Sequence, residues 1–374
     1  MRALIVVPPT PGCRVADVPS PPLRPGEVRI GVIECGVCGT DHDIAAGKYG
    51  KPPAGSDFLI LGHENLGTVR EVGPGVDGFA PGDLVVATVR RGCGLCRFCA
   101  ANRSDCCETG LYTERGIIGA HGYIAEEYVE RPEYLLHVPP ALRPIAVLME
   151  PLSVVEKAIE TGQKVLDRRE PTPGFPPQRP PTALVTGTGA IGMLASLVLS
   201  VRGYEVTAID RHGDATLAAR VLRRIGATHV DSSSGIDAIG TAHYDLIVEA
   251  SGAITLDFQL VGRLAPNGVL VLTGIPDASA PPISVAGGAL LRGMVLANQA
   301  IVGSVNANRT HFELGLNDLL RFEERWPGVT AELISQRRPL NEAPQVLGEH
   351  VGGAVKIVLT VSTLTPFSDL SPRR

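Results

Sequence analysis

Aromatic residues are scarce, at 4% of 374 residues with a single tryptophan, whereas 43 glycines and 31 prolines together approach a fifth of the chain. That balance argues against a bundle of long helices and suits many strands joined by tight turns. Charge of one sign is also lacking. The 34 basic and 39 acidic residues leave a net charge of −5, with no basic stripe to mark a nucleic-acid partner. Long apolar runs are missing too. Ala3-Leu4-Ile5-Val6-Val7 stops at Pro8-Pro9, too short for the core of a signal peptide. The longest uncharged stretch, Pro181 to Val201, has membrane-spanning length. Gly187, Gly189 and Gly192 divide it instead into strand, turn and helix. These absences predict a cytoplasmic chain with no membrane span. Its length predicts two domains, or three.

Cysteine is absent after Cys107; all eight lie at 13, 35, 38, 93, 96, 99, 106 and 107. Disulfide scaffolds spread their cysteines, whereas local clusters in a cytosolic chain point to metal. Cys93-x2-Cys96-x2-Cys99-x7-Cys107 offers four thiolates in a short, glycine-punctuated loop. Four thiolates fill a tetrahedral Zn²⁺ and leave no place for substrate, so this site is structural. Cys106 competes with Cys107 as the fourth ligand. Cys38 and the Gly62-His63-Glu64 triplet suggest a second, open site. Taken alone, Cys35-x2-Cys38 also allows a redox pair.

The first 150 residues read as a barrel-like antiparallel domain. Val28, Ile30 and Val32 alternate with Arg29 and Gly31, and Gly67 to Gly73 continues the theme. Val154 to Thr161 looks helical. Asp167 to Thr182 then carries six prolines in sixteen residues, an extended surface connection. Beyond it, strands at Ala183–Val185, Glu205–Ile209, Asp245–Glu249 and Val269–Leu272 alternate with helices at Ala190–Val201, Ala215–Ile225 and Thr255–Leu264. Such alternation implies a parallel sheet covered on both faces. The chain after about 306 is mixed, with one more strand at Lys356–Leu359 and a polar, frayed end from Ser362 to Arg374.

Gly187-Thr188-Gly189-Ala190-Ile191-Gly192 matches G-x-G-x-x-G between a strand and a helix. The glycines allow a tight turn and close approach of a pyrophosphate to backbone N–H groups at a helix N-terminus. Asp210 ends the next strand, where an acidic residue takes the ribose hydroxyls. A carboxylate there repels a 2′-phosphate, while Arg211 offsets part of that repulsion. NAD is favoured over NADP, with both admitted.

Gly62-His63-Glu64-Asn65-Leu66-Gly67, Gly73, Val76 and Gly82-Asp83-Leu84-Val85 resemble the signature of the zinc-dependent medium-chain alcohol dehydrogenases. The similarity covers roughly residues 1 to 361. Tyr112 to Tyr123, Met149-Glu150-Pro151-Leu152-Ser153 and Gly303-Ser304-Val305-Asn306 resemble, more narrowly, the archaeal-type glucose 1-dehydrogenases of that superfamily.

The resemblance implies an α/β chain with a GroES-like β-barrel catalytic domain (1–151 and 306–374) and a Rossmann doubly wound domain (152–305). It implies a catalytic zinc on Cys38, His63 and Glu150, with Glu64 able to enter its shell, beside the structural zinc. Thr40 would relay the substrate proton, and Thr40, Glu114, Glu150 and Asn306 would touch the sugar. The cofactor contacts would be Gly187, Gly189, Ala190, Ile191, Gly192, Asp210 and Arg211, then Leu272, Thr273, Gly274, Ser304, Val305 and Asn306. Two departures concern the sugar: Val89 and Val154 stand where some members carry a polar contact, and Ala297 stands in place of a histidine. The implied reaction is hydride transfer from C1 of an aldose to NAD(P)⁺, in a cleft between the domains of a homodimer or homotetramer. A polyol, alcohol or threonine dehydrogenase is the alternative within the class. A non-catalytic zinc-stabilised binding protein is the alternative outside it, and nucleic-acid binding through the cysteine lobe a further one.

Overall fold

The computed structural model describes residues 1–168, 179–277, 280–349 and 353–361. The core of the proline-rich connection and the whole polar end from Ser362 lie outside the described residues. The chain divides into two compact units. One comprises Met1–Glu150 with the described parts of Gln336–Gly352 and Lys356–Arg374; the other comprises Pro151–Ser335 with Gly353–Val355.

The first unit is built on antiparallel strands. Its largest sheet runs in the order Leu135–His137, Leu84–Ala87, Glu64–Val72, Val28–Val37, Lys356–Thr360, Ile334–Pro339, and Glu127–Glu130 also pairs with Val28–Val37. The long central strand is buried along nearly its whole length. Its alternation predicted one wet face, but packing covers both. Val28, Ile30 and Val32 share a core with Leu340 and with Ala343, Val346 and Leu347 of the short helix Ala343–Gly348 that follows it. The end of the chain therefore completes the core begun by its start.

The second unit carries six parallel strands: β1 (Thr182–Thr186), β2 (Glu205–Asp210), β3 (Thr228–Asp231), β4 (Tyr244–Glu249), β5 (Leu264–Leu272) and β6 (Ala300–Gly303). Their order is β3-β2-β1-β4-β5-β6, the doubly wound arrangement whose order reverses between β1 and β4. The helix Ala190–Val201 is apolar all round and buried from Gly192 to Ser200, as a helix without a polar face must be. Leu217–Arg224 starts where the Thr216 hydroxyl accepts from the Ala219 N–H at 3.1 Å.

The chain rejoins the first unit at Gln336, later than the 306 the resemblance implied. The reason is the helix Arg309–Arg325. It buries Phe312, Leu319 and Phe322, and its Asp318 shares Arg202 with Glu156 of the helix Met149–Asp167. That packing holds 306–335 on the nucleotide unit.

Candidate active site and metal centres

Val28–Val37 runs into Cys38, which opens the helix Gly39–Ala45. The Cys38 Sγ accepts from the Thr40 N–H at 3.2 Å, and the Asp41 carboxylate accepts from the Cys38 N–H at 3.0 Å. The neighbouring strand begins at Glu64, paired with Gly36. Antiparallel register thus sets His63 beside Cys38, with His63 Nε2 3.0 Å from the sulfur. Cys38, His63 and Glu64 bring one ligand atom each within 4.8 Å of one another.

Three groups frame this cluster. Asp41 is wholly buried; one oxygen accepts from the Gly62 N–H at 3.2 Å and lies 3.7 Å from His63 Nδ1. Lys356, from the last strand, reaches Glu64 at 2.6 Å and the Val37 carbonyl at 3.1 Å. Glu150 is buried beside them but stands outside the tight cluster of three. Burial pushes its carboxyl up to about 7; His63 and Lys356 oppose the shift and Glu64 and Asp41 add to it. Burial pulls the His63 imidazole down, but the charges of Cys38, Asp41 and Glu150 win and hold it well above the ordinary value.

Several buried acids and a thiol with one lysine among them form a donor set that fits a divalent cation. Cys38, His63 and Glu150, with Glu64 adjacent, would hold it. Asp41 lies 3.7 Å from His63 Nδ1 on the far side of the ring, beyond hydrogen-bond length, and acts on the imidazole through its charge. Neither Asp41 nor Lys356 was foreseen from the sequence. Asp41 had a signal, the Cys-x-x-Asp spacing of a helix cap; Lys356 had none.

Cys35 belongs to the hydrophobic core, whereas Cys38 is half-buried. Both thiols are free, and Cys35 is fully buried, donating weakly to its neighbour's carbonyl at 3.7 Å. Burial, then Asp41 and Glu64, raise its pKa well above a thiol's usual value. The hydroxyl of Thr40 meets that of Tyr49, whose pKa burial pushes up to about 12. Glu114 is buried, with one oxygen accepting from Arg90 Nε at 2.9 Å.

The second cluster is Cys93, Cys96, Cys99 and Cys107, each sulfur within 4.8 Å of the others. The Leu95 and Cys96 N–H groups both donate to Cys93 Sγ at 3.4 Å, and the Cys99 N–H to Cys96 Sγ at 3.5 Å. Thr109 and these amides hold the Cys93 thiol down at about 6. Burial and the neighbouring sulfurs push the Cys99 thiol the other way, up to about 12, so the four sulfurs are not uniformly prepared as thiolates; their number and closeness are what suit zinc. Cys106 points elsewhere, to Asp105 at 3.3 Å and Arg103 at 3.5 Å, and stands outside the group of four. A Cβ on Gly92 would stand 2.6 Å from Cys99 Sγ, so only glycine lets the loop close.

In the second unit, Gly187 to Gly192 joins β1 to the helix Ala190–Val201. A Cβ on Gly192 would fall 1.8 Å from the Gly187 carbonyl oxygen, whereas Gly189 faces open space. Asp210 closes β2, bonded to Thr188 Oγ1 and accepting from the His212 N–H at 2.7 Å. His212 and His229 each place a ring nitrogen 3.6 Å from its carboxylate, and Arg211 is exposed. Thr273 and Gly274, after β5, donate their N–H groups to the Glu249 carbonyl at 2.9 and 3.1 Å. Ser304, Val305 and Asn306 follow β6.

One chain that carries both a doubly wound unit and an antiparallel unit with a Cys-His-Glu cluster and a four-cysteine lobe has the make-up of a zinc-type medium-chain dehydrogenase. Residues 24–140 match the model of the alcohol dehydrogenase GroES-like domain and 143–361 that of the glucose dehydrogenase C-terminus. The chain belongs to the glucose dehydrogenase family. It is 42% identical to a glucose 1-dehydrogenase of Thermoproteus tenax over 366 residues, covering 97% of this chain and 100% of that one. It is also 42% identical to a glucose 1-dehydrogenase of Methanocella arvoryzae, covering 90% and 94%. The solved Haloferax mediterranei glucose dehydrogenase in complex with NADP, Zn and gluconolactone matches with a TM-score of 0.85 at 32% identity, covering 97% and 100%.

Proposed function

We propose that this chain oxidises glucose, or a related aldose such as galactose or xylose, at C1 to the aldonolactone, with NAD(P)⁺ as hydride acceptor. The Cys38–His63–Glu64 cluster, with its His and Glu buried and its Cys half-buried, beside Glu150 carries the reading. Zinc held there supplies a Lewis acid that lowers the pKa of the anomeric hydroxyl. The chain's own residues do the rest. Thr40 takes the hydroxyl proton and hands it toward Tyr49 or water; a phenol that keeps its proton up to about 12 is a neutral relay. Glu114, its carboxylate aimed by Arg90, and Asn306 orient sugar hydroxyls. The backbone from Gly187 to Gly192 takes the pyrophosphate, and Asp210 the ribose. Positions after β5 and β6, on the far side of the switch point from Asp210, take the nicotinamide half.

A homodimer or homotetramer fits the edge of the second unit. Among the described residues β6 pairs only with β5. The helix Gly287–Leu296 before it buries no residue and exposes Leu291, Val295 and Leu296. No described helix is long and apolar enough to cross a membrane, and we place the enzyme in the cytoplasm.

Initial rates over a panel of aldoses and polyols, each with NAD⁺ and NADP⁺ and added Zn²⁺, test the reading. Glucose with one of the two dinucleotides should lead. No turnover of any aldose would sink it. Sorbitol or threonine outrunning glucose would decide for the neighbouring polyol or threonine class.

A further inference from the structure

Asn306 lies in left-handed backbone with φ of 66°, a region that non-glycine residues seldom enter. Its own side chain accepts from the Ala307 N–H at 2.9 Å. Such a conformation persists where the surroundings over-determine it. Here the surroundings are the helix Met149–Asp167. Lys157, only 7% exposed, donates from Nζ to the Val305 carbonyl at 2.9 Å. One turn further on, Glu160 meets His311 Nε2 at 3.2 Å, while His311 Nδ1 accepts from the Asn308 N–H at 3.1 Å. Asn308 in turn caps the helix Arg309–Arg325. One helix therefore grips the chain on both sides of Asn306.

A buried ammonium forfeits hydration that an apolar side chain of similar volume never had. Packing alone would be served better by methionine. What an ammonium adds is a directed hold on the Val305 carbonyl oxygen.

We propose that Lys157 is a positioning residue: by fixing the Val305 carbonyl it sets where Asn306 meets the nicotinamide half of the dinucleotide and the sugar. The inference rests on the reading of Asn306 given above. A misplacement of about 1 Å at a reacting centre costs up to about 100-fold in rate, so the loss of this hold is measurable.

Lys157→Met, Lys157→Arg and Asn306→Ala, made in the full chain, separate the possibilities. In Lys157→Met, kcat/KM for glucose should fall about 10- to 100-fold, with no fall in the thermal unfolding midpoint. Calorimetry on the metal-free protein should show weaker binding of the preferred dinucleotide and unchanged binding of ADP-ribose, which lacks the nicotinamide ring. Lys157→Arg should restore most of the activity. Should the methionine variant not fold, Lys157→Gln gives the same readouts. Wild-type turnover and affinity in Lys157→Met, with Asn306→Ala strongly impaired, overturn the proposal alone. So do losses that track a lowered midpoint and are not rescued by arginine. An Asn306→Ala variant indistinguishable from wild type overturns the reading of Asn306, and the proposal with it.

Discussion

Glu64 and Lys356 are almost wholly buried and meet at 2.6 Å. Their attraction offsets two desolvation costs, so removing one partner is far worse than removing both. Lys356→Met should lower the unfolding free energy by about 3–5 kcal/mol in urea titrations, and adding Glu64→Gln should recover most of that loss. Strictly additive losses would show that the pair is not coupled. Cys38→Ser or His63→Ala should abolish turnover and remove one of two bound zinc ions, measured by metal analysis, without unfolding the chain. Asp210→Ala removes a charged acceptor. The KM for NAD⁺ should rise about tenfold or more while that for NADP⁺ falls, read from initial rates; parallel changes for both would clear Asp210 of any role in discrimination.

Elements were legible in the sequence where their partners are close along the chain. The helix Ala190–Val201 and four of the six strands of the nucleotide unit fall where periodicity puts them, to within a few residues, whereas Thr228–Asp231 and Ala300–Gly303 were not read. The cysteine lobe closes on itself within fifteen residues, so its spacing was enough. Elements held by distant packing were missed. The helices Gly287–Leu296 and Arg309–Arg325 and the late return at Gln336 belong to this group, as does Lys356, 292 residues from the carboxylate it meets. One such packed junction is sensitive to pH. Burial pushes Glu156 up to about 8, with Arg202 opposing and Asp318 reinforcing. The fold thus keeps a proton that the unfolded chain loses above about 4.5, and stability falls as pH rises through that interval. Glu156→Gln should flatten this slope in denaturation measured from pH 5 to 9; an unaltered slope would assign it elsewhere. Cys96→Ser should let a chelator loosen the lobe, seen as faster proteolysis there.

Across the whole molecule, the two-unit plan and the doubly wound sheet agree with the sequence reading. The boundary did not, because Asn306–Ser335 follows the unit on which its helix packs. Association through the exposed edge is open to test by light scattering. Ile301→Asp with Leu296→Asp should halve the mass, and an unchanged mass would move the interface elsewhere. Lys356 has a further consequence, for the order in which the protein matures. Cys38, His63 and Glu64 are synthesised early, yet the strand that balances their charge is drawn in only after most of the chain exists. Until then the buried carboxylates of the cluster lack the ammonium that meets Glu64 in the folded chain, so the pocket's charge is balanced only at the end of synthesis.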